Sequence, residues 1–105
     1  MPNYTLSYYG EPQFDSQEEG EKHKQRFMAW VGDLGDAQVN PGTPLGEATT
    51  VSASGVLEDS GRDRLTGFSI VKADSMDAAV EIAKACPFAE FGTIDVAEVM
   101  EMRPQ

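Results

Sequence analysis

Leu65 to Met102 reads LTGFSIVKADSMDAAVEIAKACPFAEFGTIDVAEVMEM. An apolar run from Leu65 to Ala73 predicts a strand. Asp74 or Ser75 then caps a helix, with Asp77 in the first turn. Ala79, Val80, Ile82 and Ala83 form its apolar side, and Pro87 after Cys86 ends it. Thr93 to Met102 alternates Ile94, Val96, Glu98, Met100 and Met102 against Asp95, Ala97, Val99 and Glu101, a second strand. Strand, helix and strand within so short a stretch decide the architecture.

Upstream, Tyr4 to Tyr9 is short and aromatic, and Gly10 and Pro12 bound it as a first strand. Ser16 opens a helix, and Glu19 completes a capping box with it. Phe27, Trp30, Val31 and Leu34 make one helical stripe, widened by Met28, and Gly35 is the natural stop. Asn40 to Gly46 (NPGTPLG) holds two prolines and two glycines and reads as an irregular link. Ala48 to Val56 alternates Thr50, Ser52 and Ser54 with Thr49, Val51 and Ala53, a weakly apolar strand. Glu58 to Arg64 (EDSGRDR) reads as a charged hairpin loop.

The order is β-α-β-β-α-β. Residues 1–105 thus form a single α+β domain of ferredoxin-like type. Its four-stranded antiparallel sheet carries two helices on one face. The bare face calls for a partner, and a homodimer is the expected solution. Thr5, Ser7, Tyr9, Val51 and Val99 are its expected lining.

With 105 residues the chain buries roughly 65% of its unfolded surface, enough for one core. Eighteen acidic residues face eight basic ones, a net charge of −10, so nucleic acid and anionic membranes are poor partners. One cysteine, Cys86, precludes an internal disulfide and fits a reducing, cytoplasmic setting. MPNYTLSYYG lacks the basic and apolar regions of an export signal, and no run approaches the ~20 apolar residues of a membrane span.

His23 is the sole histidine. It precedes Phe27 by four and Trp30 by seven, so it shares their stripe. It is the candidate general base, with Asp74 or Asp95 as the carboxylate that could orient it. Its neighbours Glu21, Lys22 and Lys24 favour the plainer reading, a solvated histidine of the first turns. Tyr8, Trp30 and Phe68 are the candidate walls of a ligand pocket, since aromatic rings suit a small apolar ligand. Cys86 sits at a helix C-terminus, where the dipole disfavours a thiolate, and reads as an inert buried thiol. The spacing of His, Cys and carboxylates offers no metal site, and no glycine-rich phosphate loop precedes a helix, so no cofactor is expected.

Taken in order, several short motifs resemble the YCII-related proteins, a superfamily that includes the DGPF-type domains. They are Tyr8-Tyr9-Gly10, the helix carrying Phe27, Ala29 and Trp30 and closing on Leu34-Gly35, and Gly42, Pro44 and Leu45 in the link. Thr66 to Val71, Ala73 to Ala79, Ala85-Cys86-Pro87 and Ile94 to Val99 complete the set. The resemblance implies a dimeric ferredoxin-like domain, assembled barrel-like, with a cleft between sheet and helices near the dimer junction. It also implies that some relatives are cofactor-independent lyases or dehydrohalogenases using a His and an Asp. The Asp-Gly-Pro-Phe signature is absent here, Arg62-Asp63-Arg64-Leu65 standing in its place, and His23 lacks the Arg-x-x-His-Leu context. The expectation is therefore a small-molecule-binding or accessory domain without its own catalysis. The alternatives are a lyase acting on a small organic acid with His23 as base, and a structural oligomerisation module.

Overall fold

A computed structural model describes residues 1–11, 13–57 and 64–100. The first strand, β1 (Asn3–Tyr9), buries alternate residues, so Tyr4, Leu6 and Tyr8 face the core while Asn3, Thr5, Ser7 and Tyr9 face away. Helix α1 (Gln17–Leu34) starts at Ser16, whose hydroxyl accepts from the Glu19 amide. The Glu19 carboxylate reaches back to the Asp15 amide, one residue earlier than a standard capping box requires. Helix α2 (Met76–Lys84) is capped by Ser75, accepting from the Ala78 amide, and Asp74 is left exposed.

The main sheet has the order β2-β5-β1-β6, built from β1, β2 (Gln38–Pro44), β5 (Leu65–Lys72) and β6 (Thr93–Glu98). All its pairings are antiparallel. Trp30 and Val31 of α1 share one core cluster with Ala79 and Ala83 of α2 and with Tyr4, Leu6, Tyr8 and Val71 of the sheet. Four antiparallel strands and two helices are consistent with a ferredoxin-like α+β fold.

The second strand is not where the alternation predicted. The stretch expected as an irregular link is β2, and Ala48 to Val56 instead contributes to a separate hairpin of β3 (Thr50–Ser52) and β4 (Gly55–Leu57). Proline is compatible with a strand at a sheet edge, and β2 is an edge. Its pairing with β5 slips twice, between Gln38 and Asn40 and between Asn40 and Thr43. The Asn40 side chain closes the slipped segment by accepting from the Gly42 amide at 3.0 Å. Val51, expected on the bare face of the main sheet, lies instead on the hairpin and is exposed. The expected charged loop falls, but for Arg64, outside the described residues, as do the last two residues of the expected final strand.

Candidate functional site

Two clefts flank α1. One, of about 420 Å³, lies between α1 and the β2–β5 end of the sheet. Tyr8, Phe27, Val31, Pro41, Pro44 and Phe88 supply most of its apolar wall, and His23, Met28, Thr43 and Thr66 also line it. The other, of about 490 Å³, lies on the α2 side, where Arg26, Trp30, Asp33, Lys84, Cys86 and Glu90 meet.

Glycine makes the first cleft's outer wall possible. The Gly67 α-carbon sits so close to β2 that an added Cβ would lie 2.9 Å from the Thr43 carbonyl oxygen. Gly42 adopts a φ of 156°, and a Cβ there would meet the Phe27 ring at 3.4 Å. The edge strand can therefore close over the aromatic floor.

Tyr8 anchors that floor. Its ring lies 5.0 Å from Phe88 and 6.1 Å, edge-on, from Phe27. Its hydroxyl is 2.6 Å from the Ser69 hydroxyl, which donates in turn to the Pro41 carbonyl at 3.1 Å. Burial pushes the Tyr8 phenol far above its usual range, so it stays neutral. Burial likewise raises the Cys86 thiol beside it, which leaves that cysteine a poor nucleophile.

His23 is half-buried, not solvated. Its ring lies 5.3 Å from Phe14 and 4.8 Å from Phe91, the latter edge-on at 89°. Its Nδ1 is buried with no hydrogen-bond partner. Burial, then the nearby Arg26 cation, lowers its pKa below the ordinary 6.5, while Glu90 opposes them. At neutral pH the imidazole is uncharged and keeps a free lone pair. The Arg26–Glu90 ion pair, 2.6 Å long, ties α1 to the 3-10 turn at Pro87–Glu90 and holds Glu90 below the usual carboxylate range.

Of the residues singled out in the sequence, the fold gathers Tyr8 and His23 into one cleft. Trp30 lines the other, because its indole N–H donates across to the Ile82 carbonyl at 3.1 Å and pins the ring towards α2. Phe68 lines neither: it alternates with inward-facing Gly67 and Ser69 and so lies on the helix-free face of the sheet. Neither Asp74 nor Asp95 is among the charges acting on His23, which are Arg26 and Glu90. Glu90, Phe14 and Phe91 went unremarked in the sequence because they reach His23 from other segments, beyond any helical spacing. Among the described residues, no group of three or more His, Cys, Asp or Glu side chains gathers to hold a metal ion. Nor is any described helix long and apolar enough to cross a membrane.

A two-helix, four-strand α+β domain with an apolar cleft under its edge strand is the class that this geometry defines. The YCII-related domain model matches residues 4–103, and the chain belongs to that family. Among solved structures it is similar to 5-chloro-2-hydroxyhydroquinone dehydrochlorinase (TftG) from Burkholderia phenoliruptrix AC1100, determined in complex with 2,5-dihydroxybenzoquinone. The TM-score is 0.61 at 17% identity, over 95% of each chain, a likeness of fold. None of the curated proteins matches the sequence.

Proposed function

We propose that this YCII-related chain binds a small, largely apolar molecule in the cleft between α1 and the β2–β5 end of the sheet. The observation that carries the reading is the cleft wall itself, with three aromatic rings and two prolines around about 420 Å³. In this reading the protein is an accessory or binding domain of the cytoplasm. It works as a homodimer built on the helix-free sheet face, where Thr5, Ser7 and Tyr9 are only partly exposed. A thermal-shift screen against small metabolites tests it, because a ligand at 100 times its dissociation constant adds about 2.7 kcal/mol. Stabilisation should disappear in Met28→Glu, which places a charge on an exposed residue of the cleft wall. Stabilisation unchanged by that substitution would place binding elsewhere.

A second reading is favoured by one observation, the clamped and neutral His23 in the same wall. The fold likeness to a dehydrochlorinase is compatible with it. Here the chain is a cofactor-independent lyase. His23 takes a proton from a substrate carbon, the C–H pair becomes a double bond, and the leaving group departs with its own electron pair. If a substrate is found, His23→Asn should lower its kcat by a hundredfold or more. An unchanged kcat would remove His23 as the base, and absence of any turnover would leave the binding reading.

A further inference from the structure

The polar groups of the cleft wall are nearly all engaged by the protein itself. Tyr8 is bonded to Ser69, and Ser69 to the Pro41 carbonyl. The Thr66 hydroxyl donates to the Gly10 carbonyl at 2.9 Å, and the Thr43 hydroxyl is held by the Asn40 amide at 3.1 Å. Among the described residues no Asp, Glu, Lys or Arg lines the cleft. Two cations on the elements around it are paired, Arg26 with Glu90 and Arg64 with Glu11. Among the described residues, that leaves the His23 imidazole as the wall side chain with an unpartnered ring nitrogen, Nδ1.

Given the pocket reading above, on which this rests, we infer that the cleft selects uncharged ring compounds, with His23 as the specificity-determining residue that hydrogen-bonds them. An ionised carboxylate entering the cleft would give up part of its hydration and meet no cation among the described wall residues, which disfavours it. The net charge of −10 adds long-range repulsion of anions. The same argument removes small organic acids from the lyase reading at neutral pH.

Protonation of His23 would relax the selection. The charged groups that face its ring are Arg26 from α1 and Glu90 from the 3-10 turn, and Phe14 and Phe91 cover it on two sides. Arg26 keeps Glu90 ionised below the usual carboxylate range, so Glu90 holds its charge while His23 gains one.

The test uses naphthol and naphthoate, one two-ring scaffold in neutral and anionic form, titrated calorimetrically into the full chain. At about pH 7.5, where imidazole is neutral, naphthol should bind at least a hundredfold more tightly than naphthoate. Below the His23 midpoint, read beforehand by proton NMR, the gap should narrow in the wild type and stay wide in His23→Leu, since only the former gains a cation. Equal affinities at the higher pH would overturn the charge selection and leave the pocket reading standing. A gap that fails to narrow at the lower pH would overturn the part assigned to His23. Binding of neither compound, or naphthol binding unchanged by Met28→Glu, would overturn both readings.

Discussion

The Tyr8 hydroxyl donates to the Ser69 hydroxyl across 2.6 Å, because the single proton of Ser69 is already given to the Pro41 carbonyl at 3.1 Å. The chain runs from the core strand β1 through β5 to the edge strand β2, buried at Tyr8 and Ser69 and reaching an exposed residue at Pro41.

Direction makes the two ends unequal. Ser69→Ala strands the buried Tyr8 hydroxyl, at a cost of about 1–3 kcal/mol, and also frees the Pro41 carbonyl on the exposed edge strand. Tyr8→Phe removes the donor and leaves the Ser69–Pro41 bond intact. We expect Ser69→Ala to lower the urea midpoint more than Tyr8→Phe does. The reverse order would mean that the proton runs the other way.

Trp30 is 7% exposed and joins α1 to α2 through its indole hydrogen bond. Trp30→Ala should cost about 3–5 kcal/mol. His23→Ala removes a half-buried ring packed on two others, for which about 1 kcal/mol is the expected scale. Equal denaturation midpoints for the two variants would contradict this ranking.

His23 is the only histidine, so its proton resonances report one site. Its midpoint should fall below 6.5, and Arg26→Ala should raise it by removing a repelling cation and freeing Glu90. The sign of the stability effect follows. Between the folded midpoint and 6.5 the unfolded chain binds more protons, so stability is full above 6.5 and falls as pH drops through that window. A midpoint at or above 6.5 would show that the ring is not desolvated as described.

The helix-free sheet face should bring two chains together. Light scattering at tens of micromolar should give roughly twice the 11.4 kDa of the chain. A mass near that of one chain would refute the homodimer.

Local signals carried the parts of the fold that could be read early. Ser16 and Ser75 mark both helix starts, the alternation of β1 survives in the sheet, and that of the last strand holds at Ile94 and Val96 before β6 ends at Glu98, short of the expected Met102. The second strand could not be read this way. Its prolines and glycines look like a loop until β5 supplies an edge to lie on, and the better alternation of Thr50 to Ser52 went to a small hairpin. The site was half legible. Helical spacing put His23 on the stripe of Phe27, but the rings that clamp it come from Phe14, ahead of the helix start, and from Phe91, remote in sequence. Phe68 shows the opposite error, since its alternation against Ser69 and Val71 already turns it away from the helices.

The proline-bearing strand over the cleft also has a meaning for the molecule's behaviour in a crowded solution. An outer strand with free amides and carbonyls is a template on which another chain can extend the sheet into a fibre. β2 carries Pro41 and Pro44, which have no N–H to offer, and its slipped register breaks the regular spacing that a recruited strand would need. At the opposite edge, β6 presents Asp95 and Glu98, whose charges would repel a second copy laid alongside. The wall that shapes the cleft is thus also a guard against uncontrolled self-association.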